Sequence, residues 1–533
     1  MMLQRFDRAL FCFAVAALMA VALTPAVATF AAGPAVSALS ASAPDAFGET
    51  LVRLPDGLAQ GLRAGQVEQF LGVPYGVAAR WHTPLPAAAW DGRRDFRALP
   101  PRCPQTMAGL ASGAEREDCL FLNVYRPASA PLQPLAVMVY VHGGGATNGS
   151  ANDHDGAALA EQGGIIVVTI NYRLGALGFL DGGNYALHDV LLALSWVQRS
   201  IGSLGGDPQR VTLAGESAGG TVICPLLAAP QAQGLFRAAI ISSDDCLHDV
   251  DSAAEAQQRS AVLLERLHCG DMACLRRVSA AQLVEAGGTA APAIRKNGLV
   301  PDYAAAQIGR RQWLHVPLLL GANREEGRIA GPGFLHYDEA RYRQWLDRLL
   351  SPPLAAQVGA AYRGDHLGEP YEYAEKISAI LTDSGMRGFG GCGLLPLAQA
   401  AAQDAPVYFY QFEDGDAPQG GQPGAFRSGA AHAAELSYLW PDGGAFVASS
   451  AQLGPAQRDL SVTMIAHWAA FVRSGKPDVP GQPAWPALDL QRSYRAFRSD
   501  GSVQLSLDEY ADQHRCALWQ QLPVIMDRGE ARP

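Results

Sequence analysis

The chain has 533 residues, 49% of them hydrophobic and only 17% charged, which supplies a large core and excludes a mostly disordered polymer. Its 41 basic and 51 acidic residues leave a net charge of −10. An acidic chain without Lys/Arg clusters lacks the field that draws in nucleic acid or an anionic membrane, so neither is expected as a partner.

The N-terminus reads as an address. Arg5 and Arg8 precede an apolar run at residues 10–23, which has signal-peptide length and is too short to span a bilayer comfortably. Ala26-Val27-Ala28 offers an A-x-A cleavage site, so residues 1–28 are expected to be a signal peptide. Residues 29–47, rich in Ala, Ser and Pro, are expected to form a flexible mature N-terminus. No later stretch is apolar enough to cross a membrane, so the expected destination is the periplasm or the medium, without stable membrane insertion after signal removal.

Export implies an oxidising compartment. Without Cys12, eight cysteines remain, at 103, 119, 224, 246, 269, 274, 392 and 516. Cys269 and Cys274 share one short polar segment and can pair locally. Cys103 and Cys119 bracket a Gly/Ala/Glu loop whose closure is worth about 3 kcal/mol in the chain-entropy model. No C-x-x-C pair or His/Cys cluster has zinc spacing, so neither a metal nor another cofactor is expected.

From residue 135 strands and helices alternate. Residues 135–142 (LAVMVYVH) and 165–171 (IIVVTIN) predict buried strands, and 189–199 (DVLLALSWVQR) a helix. Residues 210–214 (RVTLA) predict a short strand, followed by GESAGG and a helix-like apolar stretch. Residues 236–242, 316–320 and 407–412 are further strand-like runs. This βα rhythm predicts an α/β fold with a mostly parallel sheet covered on both faces. Residues 250–310 and 330–395 are more polar and helical, and read as insertions over the sheet. Residues 413–429 form a Gly/Pro loop. One folded unit is expected over 48–525, with a short tail at 526–533.

The chemistry falls at strand ends. Gly215-Glu216-Ser217-Ala218-Gly219 has the G-x-S-x-G form, in which a serine is exposed at a sharp strand-to-helix turn. Alone this is a weak signal, since any glycine-rich turn can produce it; the strand before and the helix after strengthen it. His142-Gly143-Gly144-Gly145 also follows a strand. Its backbone N–H groups, with that of Ala218, can bind an oxyanion, each donor being worth about 3 kcal/mol in the transition state. An acid and then a histidine are expected downstream. Glu325 and Glu326 both follow the 316–320 strand, and spacing leaves the choice between them open. Of the later histidines, His467 lies in an amphipathic helix and suits packing, whereas His432 follows the loop after the 407–412 strand, where a base is expected.

These residues resemble the type-B carboxylesterase family, which includes bacterial esterases, fungal lipases and cholinesterases. The resemblance runs from about residue 50 to 522 and includes EDCLFLNVYRP (117–127), NYRLGALGFL (171–180), GNYALHD (183–189), GGDPQRVTLAGESAGG (205–220), GANREEG (321–327) and GAAHAAELSYLW (429–440). It implies an α/β-hydrolase fold and the hydrolysis of small carboxylic esters. It assigns Ser217 as nucleophile, Glu326 as acid and His432 as base, with Gly144, Gly145 and Ala218 in the oxyanion hole and Glu216 facing the site. It implies disulfides Cys103–Cys119, Cys269–Cys274 and Cys392–Cys516, leaving Cys224 and Cys246 unpaired, and structural ion pairs Arg80–Glu117 and Arg173–Asp189. Activity is then expected to rise with pH near the ordinary histidine pKa of about 6.5.

Departures from the family pattern bear on substrate. Ala146 stands where an aromatic commonly follows the glycines, so more room is expected beside the oxyanion site. Ser242-Ser243-Asp244 replaces a usual Gln-Ser-Gly, bringing Asp244 toward the acyl side; with His142, Ala146 and Glu216 it completes the expected pocket. The Cys103–Cys119 loop lacks the Trp that holds a quaternary ammonium, which argues against choline esters. Two alternatives remain: a lipase, for which the small polar segment after Cys103 offers a poor lid, and a non-catalytic binding protein, which the intact Ser, Glu and His disfavour.

Overall fold

A computed structural model describes residues 48–105, 115–129, 133–247, 250–287, 291–292, 298–385, 388–418, 426–441 and 450–521. The expected signal peptide, flexible N-terminus and C-terminal tail lie outside the described residues, as does most of the segment after Cys103.

The chain opens with an antiparallel meander of β1 (Gly48–Leu54), β2 (Gly57–Ala64) and β3 (Val67–Pro74). A small hairpin, β4 (Gly76–Val77) with β5 (Leu85–Pro86), stands apart, and β6 (Arg93–Asp95) lies alongside β2. The main sheet continues with β7 (Phe121–Pro127), β8 (Leu135–Val141), β9 (Ile166–Ile170), β10 (Gly206–Glu216), β11 (Ala238–Ser242), β12 (Leu318–Asn323), β13 (Val407–Phe412), β14 (Ser493–Phe497) and β15 (Val503–Ser506). Their spatial order is β1-β2-β3-β7-β9-β8-β10-β11-β12-β13-β14-β15. From β9 through β14 every neighbouring pair is parallel, and the flanking pairs are antiparallel.

Strand periodicity explains the two-sided core. In β8, Val137, Val139 and Val141 join one apolar cluster, while Met138 and Tyr140 join the other. The first face is covered by the helix Tyr185–Ser200, whose Leu187, Val190, Leu194 and Val197 are buried at helical spacing. The second is covered by the helix Pro455–Ser474 through Met464, Ile465, Trp468 and Phe471. Each such fully buried side chain contributes about 1.5–3 kcal/mol, so the sheet is a rigid platform for what projects from its ends.

The two expected insertions are helical: Ala253–Arg266, Met272–Arg277, Ala280–Glu285 and Ala304–Gly309 in the first, and Glu339–Leu349, Pro352–Ala361 and Glu372–Ser384 in the second. Arg173 pairs bidentately with Asp189 at 2.8 and 2.6 Å, and Arg80 Nε donates to Glu117 at 2.7 Å. Among the described residues no helix is long and apolar enough to cross a membrane.

Disulfides Cys103–Cys119, Cys269–Cys274 and Cys392–Cys516 form. The expectation that Cys224 and Cys246 stand free is overturned, because they form a fourth disulfide. The reason is topological. Cys224 ends the helix that leaves β10, Cys246 follows the adjacent parallel strand β11, and the two chain exits lie side by side.

Candidate active site

Ser217 sits between β10 and the helix Ala218–Ile223 at φ 53° and ψ −127°, a backbone region costly for a residue with a Cβ. The turn is held by its surroundings. The Ser217 N–H donates to Ser242 O at 2.9 Å. A Cβ on Gly219 would stand 2.1 Å from Val141 O, so only glycine lets the turn press this close to β8. A Cβ on Gly215 would stand 2.7 Å from Gly219 C, so both flanking glycines are needed for the close packing of the turn.

Remote stretches of the chain converge on this serine. His432 Nε2 lies 2.8 Å from Ser217 Oγ, and His432 Nδ1 lies 2.6 Å from Glu326 Oε2. Glu326 starts the turn beyond β12 and is fully buried. Its Oε1 accepts from Ser243 Oγ at 2.6 Å and from the Asn323 N–H at 2.7 Å. Asn323 Nδ2 in turn donates to Ala431 O and to Glu435 Oε2. The Phe389 ring lies against the imidazole, with centroids 4.3 Å apart. Of the two glutamates that spacing left open, Glu326 meets the imidazole, while Glu325 turns away to Arg328 and Ala430.

Sequence spacing does not single out Ser243, Asn323, Phe389 or Glu435 as site residues. Two carried a usable signal: Asn323 closes the β12 strand three residues before Glu326, and Glu435 lies three residues after His432. Phe389 reaches the site through an insertion and leaves no local pattern.

The His142-Gly143-Gly144-Gly145 segment passes beside Ser217. A Cβ on Gly143 would lie 3.1 Å from Ser217 Cβ, and Gly144 adopts φ +99°. Among the described residues, the N–H groups of Gly144, Gly145 and Ala218 donate to no protein acceptor. Unpaired donors beside the Ser217 hydroxyl are suited to a negative oxygen.

The structure departs from the expected pocket at three residues. His142 is buried behind the glycines, stacked on Tyr172, and burial pulls its pKa down to about 4. Ala146 is only 1% exposed, so it adds no open room. Asp244 is buried, accepts from Thr221 Oγ1 at 2.6 Å and from the Cys246 N–H at 2.7 Å, and so belongs to the base of the turn, not to a substrate wall. Asp244 also groups with Cys224 and Cys246, but sulfurs joined in a disulfide have no thiolate to offer a metal. Glu216 does reach the imidazole, with Oε1 3.4 Å from His432 Nε2.

Electrostatics separate these groups. Burial alone would lower the His432 pKa; the charges of Glu326 and Glu216 outweigh it and push it up to about 9. This lies above the ordinary value expected from sequence. Burial also raises Glu216 and Glu435 above the usual carboxylate range. His467 packs, as expected, with Nδ1 2.6 Å from Pro477 O.

Residues 48–519 match the model of the carboxylesterase family. The chain belongs to this family. It is 30% identical over 516 residues to human cocaine esterase, covering 87% of this chain and 88% of that one. It is also 30% identical over 473 residues to fumonisin B1 esterase of Sphingopyxis macrogoltabida, covering 82% and 84% of the two chains. Among solved structures it resembles a thermophilic pNB esterase, with a TM-score of 0.72, 28% identity and coverage of 87% of this chain and 99% of that one. The fold is thus that of the α/β-hydrolases, and the protein is a carboxylic ester hydrolase.

Proposed function

We propose that this carboxylesterase is an exported serine esterase that cleaves small carboxylic esters through an acyl-enzyme on Ser217. The observation that carries the reading is the hydrogen-bonded chain from Ser217 Oγ through His432 to Glu326, at 2.8 and 2.6 Å. His432 Nε2 takes the hydroxyl proton as Oγ attacks the ester carbonyl. The carbonyl oxygen becomes an oxyanion and is received by the N–H groups of Gly144, Gly145 and Ala218. Glu326 fixes the tautomer and stabilises the imidazolium. The alkoxide leaves with the proton from Nε2. Water then gives a proton to Nε2 as its oxygen attacks the acyl carbon, and the adduct collapses by breaking the bond to Oγ, which takes the proton back from Nε2 to release the acid and free Ser217. No step calls for a cofactor.

The four disulfides support export, as does the signal-like sequence of residues 1–28. The folded unit is read as residues 48–525, preceded by the cleaved signal and the mature N-terminal segment.

The test is Ser217→Ala, with hydrolysis of p-nitrophenyl esters as the readout. Turnover is expected to fall by about a millionfold with the circular-dichroism spectrum unchanged. Full turnover in the variant would refute the triad. Labelling of the parent by a fluorophosphonate, absent in the variant, is the matching result. A chain-length series locates the acyl preference; activity confined to long-chain emulsions would make the protein a lipase instead.

A further inference from the structure

Glu325 stands next to the acid yet does not touch the imidazole. Its N–H donates to Ala430 O at 2.9 Å, and its Oε2 accepts from the Ala430 N–H at 2.9 Å. One residue thus holds both backbone groups of Ala430, two positions before His432. A Cβ on Gly429, at φ +60°, would lie 2.1 Å from Glu325 Oε2, so the loop comes this close only because glycine is there.

Glu325 is itself braced. Its Oε1 accepts from Arg328 Nη1 at 3.2 Å. Arg328 Nη2 donates to Glu375 Oε1 at 2.7 Å, Nε donates to Arg427 O at 2.8 Å, and the guanidinium lies 4.9 Å from the Phe426 ring. Arg328 and Glu375 are each 11% exposed, so this is a packed cluster rather than a loose surface pair. Both ends of the network grip residues 426–430. That stretch has no helix or strand of its own, so no regular ladder sets the register of His432.

We propose that Glu325 is a positioning residue for the catalytic base: by clamping Ala430, it fixes His432 between Ser217 and Glu326. The inference rests on reading His432 as the base. The chemistry is acceptor geometry. Glu325 supplies the one carboxylate that meets the Ala430 N–H, and Arg328 orients that carboxylate. Residues close in sequence to Glu326 therefore act on the opposite partner of the triad.

The experiment compares Glu325→Leu, Glu325→Gln, Arg328→Gln and Glu326→Gln on p-nitrophenyl acetate. Glu325→Leu removes the acceptor and is expected to lower kcat about tenfold to a hundredfold, the cost of a roughly 1 Å misplacement, with KM within about twofold. Its acid limb of kcat/KM should move to lower pH. The charged groups facing the imidazole are Glu326, Glu216 and Glu435, and a slack loop lengthens the contact to Glu326. Glu325→Gln keeps an acceptor and should recover most of the loss. Arg328→Gln leaves the Ala430 bonds in place and should cost less than Glu325→Leu.

A Glu325→Leu enzyme with parental kcat overturns the proposal. So does equal impairment of the Leu and Gln variants with an unmoved acid limb, which is the signature of a lost ion pair alone. Should the Leu variant fail to accumulate, Glu325→Gln with parental kcat and parental pH profile, beside an inactive Arg328→Gln, also overturns it. Glu326→Gln separates the two readings. If it retains full activity, the triad assignment fails on its own account; if it is inactive while Glu325→Leu is unaffected, only the positioning role fails.

Discussion

Replacing Glu216 with Gln is expected to shift the acid limb of kcat/KM to lower pH by about one unit. In the proposed mechanism His432 must be neutral to accept the Ser217 proton, so activity should fall as pH drops through its pKa. Burial favours the neutral ring, but Glu326 and Glu216 outweigh it and push the pKa up to about 9. Glu216 Oε1 lies 3.4 Å from Nε2. At that separation two unit charges interact by about 1 kcal/mol with water-like screening and about 5 kcal/mol at an effective dielectric near 20. At 1.36 kcal/mol per unit these are about one and three and a half pK units. Burial raises Glu216 as well, so its charge is only partly present and the expected shift falls toward the lower end of this range. The sign for stability is opposite. A histidine raised on folding stabilises the protein fully below its ordinary pKa, and that contribution is lost as pH rises toward about 9. Parent and variant are compared by pH-stat hydrolysis of an uncharged alkyl ester from about pH 5 to 10. A limb that stays in place, or moves upward, would show that Glu216 does not act on the base.

Ser243→Ala removes one of the donors to Glu326 Oε1. A hydrogen bond to a charged group is worth about 1.5–3 kcal/mol, so kcat should fall about tenfold or more with KM little changed; unchanged kcat in steady-state assays would count against a role for Ser243. The Cys224→Ser, Cys246→Ser double variant opens a loop with a sequence separation of 22. The chain-entropy model gives about 3 kcal/mol for it against about 2 kcal/mol for the five-residue Cys269–Cys274 separation. Thermal inactivation should therefore be faster in the first double variant than in the corresponding Cys269, Cys274 pair, and the reverse order would overturn the estimate.

The parallel half of the sheet was legible because its strands are buried on both faces. Runs such as residues 407–412, observed as the strand Val407–Phe412, have no polar alternation to blur them. The edge was not. Strand β2, GLAQGLRA, lacks β-branched residues altogether, and β1 alternates half-buried with exposed positions. The sharp turn at Ser217 was legible because its glycines answer a local need. The pocket was harder. Which way His142, Ala146 and Asp244 face depends on packing from β8, β10 and β11 together, and all three turned inward. The Cys224–Cys246 bond is a fact of strand adjacency, which spacing along the chain does not encode. Glu325 and Glu326 were indistinguishable by spacing because one residue of rotation at the end of β12 decides which carboxylate enters the site.

Three carboxyl groups surround one imidazole here, and their hydrogen-bond partners sort them into different tasks. Glu326 has the ring nitrogen, Ser243 and the Asn323 backbone around its two oxygens. Such a carboxylate can hold an imidazolium without large reorganisation when the proton moves. Glu216 is buried with Oε1 lacking any hydrogen-bond partner, close to Nε2 but not bonded to it. Its charge is therefore costly, and burial raises its pKa. Glu435 accepts from Asn323, the residue that also donates to Glu326. Moving the proton from Ser217 to His432 changes the field on all three at once. On the proposed mechanism, the clamp at Ala430 matters because a displaced imidazole would lose its bonds to Ser217 and Glu326 and its closeness to Glu216 together.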